Sequence, residues 1–152
     1  MKKRILIGIC AVLLLTSCAH EYNQVYKTTN NDYKYEFAKE CFAKGKYGFA
    51  VPLLQDLVTI EKGTDNAQEC LYMLAMAEYC LKDYQAASET FKKYYQTYPR
   101  GQYAEMASFY IGQSLFEGTP EPRLDQTPTV AAIAAFHCLL YTSPSPRDRT
   151  RS

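Results

Sequence analysis

The sequence is poor in the side chains from which metal and catalytic sites are built. It has no Trp and only two His, and no two of its Cys residues form a C-x-x-C pair. There is no Gly-rich phosphate loop, and no Ser lies in a nucleophile motif. Because His20 and His137 have no clustered partner ligands, the sequence predicts no metal site, no cofactor and no catalytic centre.

Basic residues are also scarce outside the two ends of the chain, whose net charge is +1. Leaving out residues 2–4 and 147–151 removes six of the 17 basic residues and one of the 16 acidic ones, so the middle of the chain is acidic. With no basic stripe, this charge argues against a nucleic-acid partner. Apolar residues make up 47% of the chain, which favours one folded domain over a disordered segment.

The first 17 residues have the pattern of a secretory signal peptide. Basic residues at 2–4 precede an apolar run at 5–15, which is too short to cross a bilayer. The run leads into Leu15-Thr16-Ser17-Cys18, which resembles the lipobox of bacterial lipoproteins. That resemblance implies cleavage before Cys18 and a covalent diacylglycerol and acyl chain on this residue. The alternative is an ordinary secretory signal with an incidental cysteine.

The chain after the signal divides into three parts. Ala19, rather than Asp, follows the lipidated cysteine, and this implies the outer membrane, with the protein facing the periplasm. Residues 19–31 are polar and lack helical periodicity, so for residues 18–31 we predict a lipidated cysteine on a flexible tether. We predict helical repeats over residues 32–136 and a non-native or disordered tail over residues 137–152.

Apolar and small residues recur at an interval of 37 residues. This spacing predicts an all-α short solenoid of about two and a half helical hairpins, which share an apolar seam because a lone hairpin cannot bury its apolar face. It resembles the tetratricopeptide repeat, whose usual period is about 34 residues. The members of the pattern are the rows Tyr35/Tyr72/Phe109, Phe37/Leu74/Ile111, Ala38/Ala75/Gly112 and Phe42/Tyr79/Phe116, and the pairs Tyr47/Tyr84, Ala50/Ala87 and Leu54/Phe91.

The helix ends are predicted from the turn residues between periodic segments. We expect Asp32 to cap the first helix, and Asp65 or Asn66 to cap the third. Asp125 is interpreted as a loop or capping residue rather than a catalytic acid. The predicted helices span residues 32–44, 47–61, 66–81, 84–97, 102–116 and 127–136.

The chain after Phe136 does not continue the repeat pattern. Pro144 and Pro146 bracket serine residues, and proline cannot extend a helix. The run at 138–152 resembles translated sequencing-adaptor read-through; a natural disordered basic tail is the alternative. On the first interpretation the chain is truncated inside its third repeat.

Three cysteines fall within the predicted repeats. We expect Cys41, Cys70 and Cys80 to be buried free thiols that pack as small apolar side chains. An oxidising periplasm could join a pair of them, and Cys41 with Cys70 is the pair to check first.

The 14 Tyr residues are the one compositional excess of the chain. Packing between repeats is the simpler interpretation. The alternative is an aromatic groove that binds an extended peptide, for which we single out Phe42, Tyr79 and Phe116. A rigid solenoid suits such binding because it needs no folding at the moment of association.

Taken together, the lipobox, the polar segment after it and the helical hairpins resemble the BamD family, the lipoproteins of the outer-membrane β-barrel assembly machinery. The resemblance covers residues 15–136 and includes Tyr84-x-x-Ala87-x-x-x-Phe91, residues 98–104 and Asp125-Gln126-Thr127. It implies a non-enzymatic scaffold whose partners are other barrel-assembly subunits and unfolded outer-membrane proteins. It also implies that the amino-terminal repeats engage the substrate.

Two alternatives stay open on the sequence alone. One is a repeat-containing lipoprotein that binds glycans in the manner of SusD-like nutrient receptors, although such receptors are several times longer and carry large loops. The other is a periplasmic enzyme with a repeat domain, which would require a catalytic domain downstream.

Overall fold

A computed structural model describes residues 21–60, 62, 64–119 and 125–142. Within these residues all regular structure is helical, which confirms the predicted fold class. The predicted signal peptide, Cys18 and residues 143–152 of the predicted tail lie outside the described residues. A short helical segment at residues 21–26, the leading segment, comes first. It is followed by α1 Asn31–Ala43, α2 Tyr47–Ile60, α3 Asp65–Cys80, α4 Tyr84–Thr97, α5 Ala104–Glu117 and α6 Thr127–Thr142.

Each helix packs mainly against the next one in the chain, as in a repeat solenoid. The described residues form three hairpins, which pair α1 with α2, α3 with α4, and α5 with α6. The third hairpin has both of its predicted helices, and the second of them is longer than the sequence predicts. The bounds of α4 agree with the prediction, and the other helices begin and end within two residues of it, except at the end of α6.

Two helices begin at capping residues other than the predicted ones. The Oδ1 atom of Asn30 accepts a hydrogen bond from the Tyr33 N–H at 3.1 Å, so Asn30 rather than Asp32 caps α1. Thr64 precedes α3 with an extended backbone, and Asp65 is already the first helical residue. A cap has a non-helical backbone, and single-residue differences in backbone conformation are not encoded in the side-chain pattern.

The hairpin turns keep the 37-residue register. Gly45 lies between α1 and α2 with φ +70°, and Lys82 lies between α3 and α4 with φ +64°. The Gly45 N–H donates to the carbonyl oxygen of Phe42 at 3.0 Å, and the Lys82 N–H donates to that of Tyr79 at 2.9 Å. Phe42 and Tyr79 therefore occupy equivalent places. The left-handed region of backbone conformation favours Gly. Positive φ therefore costs free energy at Lys82 but not at Gly45.

Most of the predicted packing residues lie in the core. Phe109 is the exception, since it is 40% exposed although its ring lies 6.0 Å from that of Phe136. The buried members are Tyr35, Ala38, Ala50, Leu74, Ala75, Ala87, Phe91 and Gly112, and the partly buried ones are Phe37, Tyr72, Tyr84 and Ile111.

The row of small residues at 38, 75 and 112 is buried. Ala38 and Ala75 have no exposed surface. A Cβ atom added to Gly112 on α5 would lie 2.8 Å from ring atoms of Phe136 on α6. The ring of Phe136 thus fills the space that a methyl group at residue 112 would need.

The predicted flexible tether does not describe residues 21–26, which form the leading segment. Val25 in the leading segment is completely buried in the core, and the ring of Tyr22 lies 4.9 Å from that of Phe49 on α2. The turn that follows is ordered by a hydrogen bond from the Thr28 N–H to the Val25 carbonyl oxygen at 3.1 Å. A few apolar side chains hold this segment on the first hairpin, although the segment is too short to show helical periodicity.

The predicted end of the last helix is also wrong. α6 begins at Thr127, and Oδ1 of Asp125 accepts hydrogen bonds from the N–H and hydroxyl of Thr127, at 3.0 and 2.6 Å, which agrees with a loop or capping role of Asp125. The helix then continues past Phe136 to Thr142. The prolines that end the pattern lie further on, at 144 and 146, and nothing between Phe136 and Thr142 breaks a helix.

Among the described residues, no cysteine of the repeats forms a disulfide. Cys41 and Cys70 are buried, as expected for small apolar packing residues, and no disulfide joins them. Cys80 is also free but is exposed, so the expectation of burial is wrong for this residue.

A buried charge joins the two helices of the first hairpin. Lys34 on α1 is 4% exposed, and its Nζ forms an ion pair with Asp56 on α2. A buried ammonium group is tolerated only when it is paired, so this contact restricts how α1 and α2 can pack.

We expect Gly112→Ala to lower the free energy of unfolding by about 1–3 kcal/mol, because the new methyl group would overlap the ring of Phe136. The matched control is Gly48→Ala on α2, which meets no atom within 4 Å and should stabilise the helix by about 0.5–1 kcal/mol. Urea unfolding followed by circular dichroism measures both. Equal effects of the two substitutions would contradict the close approach of α5 and α6.

Candidate functional site

An open groove lies between the first helices of the first two hairpins. It has a volume of about 310 Å³ and is formed by α1, α3 and the connection between α4 and α5. We call it the first-helix groove. Its lining residues are Lys39, Phe42, Ala43, Glu69, Tyr72, Met73 and Tyr103.

One wall of the first-helix groove is made of stacked tyrosines. The rings of Tyr72 and Tyr103 lie nearly parallel, with centroids 4.3 Å apart and an interplanar angle of 11°. Tyr72 is held from behind by edge contacts to Phe91 and Tyr94, at 6.0 and 5.9 Å. The hydroxyl oxygen of Tyr94 accepts a hydrogen bond from the Tyr103 N–H at 3.1 Å. The wall is therefore positioned before any ligand binds.

A polar triad of Tyr35, Lys39 and Glu69 borders the groove. The Tyr35 hydroxyl donates to Oε2 of Glu69 at 2.6 Å, and Nζ of Lys39 lies 3.4 Å from Oε1 of the same carboxylate. Nζ of Lys39 also lies 4.9 Å from the centroid of the Tyr35 ring, a cation–π contact. These contacts tie α1 to α3 and leave Lys39 and Glu69 partly exposed at the groove.

Burial and the hydrogen bond to Glu69 both raise the pKa of Tyr35 far above its ordinary value. The hydroxyl therefore stays protonated at any physiological pH and remains a donor to Glu69. The triad thus presents one cation and one hydrogen-bonded carboxylate, which are groups that can bind peptide side chains or backbone.

The three aromatic residues predicted for the groove do not share one site. Phe42 lines the first-helix groove. Tyr79 instead packs among Tyr84 and Tyr110, with centroids 5.5 and 5.2 Å away. Phe116 lies at the end of α5 and is 59% exposed. Phe42, Tyr79 and Phe116 occupy equivalent positions in successive hairpins, but each of them has different neighbouring residues.

Sequence reasoning missed Lys39, Glu69 and Tyr103. Lys39 lies one helical turn after Tyr35, and this spacing could have marked it as part of the same face. Tyr103 lies in the connection between two hairpins, where the 37-residue comparison places Asn66 rather than an aromatic residue. No pattern in the sequence distinguishes this Tyr from the others.

A second perturbed group, Glu78, lies on α3 away from the groove. It is 6% exposed, and its Oε2 atom has no hydrogen-bond partner in the described part of the chain. Burial raises the pKa of the Glu78 carboxyl, Asp83 and Glu89 raise it further, and a hydrogen bond with Thr90 opposes them. The folded state thus favours the neutral acid more than the unfolded state does.

We expect Glu78→Gln to stabilise the protein at neutral pH. The raised folded-state pKa means that Glu78 contributes most to stability below its unfolded pKa of about 4.3, and that this contribution is lost as the pH rises through the folded pKa. Gln stays neutral, so its advantage should be about 1 kcal/mol at pH 7 and should vanish near pH 4. Urea unfolding across this pH range measures the difference.

The control for this prediction is Glu36→Gln, an exposed glutamate on α1 that is not among the groups acting on Glu78, and its substitution should change stability little at either pH. A stabilisation by Glu78→Gln that is the same at pH 4 and pH 7 would contradict the raised pKa.

Neither a metal site nor a membrane-spanning helix is found among the described residues. Among residues 21–60, 62, 64–119 and 125–142, no group of three or more His, Cys, Asp or Glu is placed to hold a metal ion. Of the helices in this part of the chain, none is long and apolar enough to cross a bilayer.

Comparison with known proteins identifies a family. Residues 27–147 match the family described as YfiO, outer membrane lipoprotein. The match includes all six helices and also residues 137–147, for which the sequence predicts a non-native or disordered tail. No curated protein matches the chain. Because the match spans more than half of the sequence, the chain belongs to the YfiO family of outer membrane lipoproteins.

Proposed function

We propose that this outer membrane lipoprotein is a non-enzymatic scaffold of the β-barrel assembly machinery, as its resemblance to BamD implies. In this role it is anchored through lipid on Cys18, faces the periplasm, contacts other assembly subunits and helps receive and insert unfolded outer-membrane proteins. Membership of the YfiO family supports the location and the repeat scaffold. It does not favour the SusD-like alternative.

The stacked pair of Tyr72 and Tyr103 is the observation that carries the proposal. Their rings meet at 4.3 Å and form one wall of a groove that is open to solvent. Outer-membrane β-strands are rich in aromatic residues, and an unfolded strand exposes them. An aromatic side chain of such a segment can pack against this wall, beside Phe42 and Met73.

The polar triad adds contacts that an unfolded segment needs. Extended backbone has unpaired N–H and C=O groups at every residue, and these require partners when water is displaced. Glu69 can accept from a backbone N–H, and Lys39 can donate to a backbone carbonyl. Because these side chains are already tied to α1 and α3, little conformational entropy is lost on binding.

We expect Tyr103→Ala to weaken binding of an unfolded outer-membrane protein segment about tenfold or more, because it removes half of the aromatic wall. Tyr103 is preferred to Tyr72, which also packs on Phe91 and Tyr94 in the core. Fluorescence anisotropy of a labelled aromatic-rich strand peptide measures the affinity.

The matched control is Tyr33→Ala, a 50% exposed tyrosine on α1 that does not line the first-helix groove. Its affinity for the peptide should equal that of the unaltered protein. An equal loss for both substitutions, or no loss for Tyr103→Ala, would contradict the groove as the binding site.

We expect Cys18→Ala to remain unlipidated and to be released from membranes, because the thiol needed to form the thioether is absent. Cys80→Ala, which removes an exposed thiol of the repeats, is the control and should stay anchored. Membrane fractionation and mass spectrometry of the full chain measure both. Firm anchoring of Cys18→Ala would overturn the proposed lipid attachment.

A further inference from the structure

The leading segment brings the start of the described chain beside the turn between α1 and α2. Glu21 and Tyr22 line one pocket together with Cys41 in the last turns of α1, and with Lys44 and Lys46 of the turn itself. The buried packing of this segment on the first hairpin, given above, holds Glu21 at that place.

The proposed lipid attachment lies close to this point. Cys18 precedes Glu21 by three residues, and three residues span at most about 11 Å. The headgroup layer on one side of a bilayer is about 5–8 Å thick, judged from the total and hydrocarbon thicknesses. If Cys18 is anchored, the three residues up to Glu21 can extend only a few ångströms beyond the headgroup layer. The end of the first hairpin that contacts Glu21 must therefore lie at the headgroups.

Repeat topology extends this edge beyond the first hairpin. Within each hairpin the chain reverses at one edge of the solenoid, and the connections between hairpins lie at the other edge. Residues 44–46 and 81–83 are equivalent turns 37 residues apart, as the positive φ angles of Gly45 and Lys82 show. We call these two turns the turn edge. Residues 98–103 belong to the opposite edge.

The turn edge exposes groups that suit a lipid surface. Lys82 occupies a left-handed position where Gly would be conformationally cheaper, and it adds a cation to those of Lys44 and Lys46. Leu81 beside it is 49% exposed. Lysines are attracted to anionic headgroups, and strained backbone positions often cluster at functional surfaces.

Acidic groups at the same edge lie beside its lysines or cap a helix. Glu40 pairs with Lys44, and Oδ1 of Asp83 accepts a hydrogen bond from the Ala86 N–H at 3.3 Å at the start of α4. Glu21 lies near Lys44 and Lys46 in the pocket described above. The short covalent connection, rather than net charge, is therefore what brings this edge to the membrane.

We infer that the turn edge faces the lipid surface, so that the helix axes point towards the membrane and the opposite edge points away from it. The solenoid is then held at the membrane in one orientation instead of moving on a loose tether. This inference rests on the lipidation of Cys18 proposed above.

Single tryptophan reporters test the orientation, because the sequence contains no Trp. Leu81→Trp places the reporter on the turn edge, and Arg100→Trp places the matched control at an exposed residue of the opposite edge. The full chain is purified from bacterial membranes and placed in vesicles with lipids brominated near the headgroup. We expect Leu81→Trp to lose most of its emission, and Arg100→Trp to keep it.

Lys44→Trp provides a second reporter on the turn edge if Leu81→Trp does not fold, as judged by circular dichroism. Equal quenching at both edges, or no quenching at either while the protein remains with the vesicles, overturns the orientation and leaves the lipid anchor standing. A chain that carries no lipid by mass spectrometry and does not sediment with vesicles overturns both the anchor and the orientation.

Lengthening the connection tests its role separately. A flexible insertion of ten Gly and Ser residues between His20 and Glu21 adds a mean reach of about 16–19 Å. We expect the quenching of Leu81→Trp to fall while sedimentation with vesicles is unchanged. Quenching that survives the insertion would contradict the short connection as the cause of the orientation.

Discussion

The structure depends on one aromatic ring at the meeting point of its hairpins. Phe91 on α4 has no exposed surface. Its ring lies 6.0 Å from Tyr72 on its own hairpin and stacks on Tyr110 of the next one at 5.3 Å. Because a single hairpin cannot bury its apolar face, the array is stable only through such contacts across the seam. Within the third hairpin, Gly112 leaves room for the ring of Phe136 in a similar way.

The first-helix groove is a consequence of that seam. Tyr72 belongs to the second hairpin and Tyr103 to the connection leading into the third, so their stacking requires the hairpins to dock. The hydrogen bond from Tyr35 to Glu69 likewise joins the first hairpin to the second. A surface assembled in this way is already formed in the folded protein, which lowers the entropic cost of binding. In the proposed function, the aromatic contacts that hold the fold together would also form the binding surface.

The amino-terminal residues show how a few apolar side chains change the organisation of a chain. Composition alone predicts a flexible tether, yet burial of Val25 and the ring contact of Tyr22 with Phe49 attach residues 21–26 to the first hairpin. The paired charges of Lys34 and Asp56 restrict the packing of the same hairpin. The leading segment is consequently held on the first hairpin, and the orientation inferred above depends on this packing.

The sequence by itself determined the all-helical repeat architecture, most helix ends and the row of small residues at 38, 75 and 112. These features can be predicted because they depend on the spacing of residues along the chain, and the 37-residue pattern occurs more than once. Only the tertiary structure decided that Tyr79 and Phe116 lie apart from the groove, that Tyr103 belongs to it, and that α6 continues to Thr142. The reason is that aromatic side chains at equivalent positions meet different neighbours, and contacts between residues far apart in the chain leave no periodic signal.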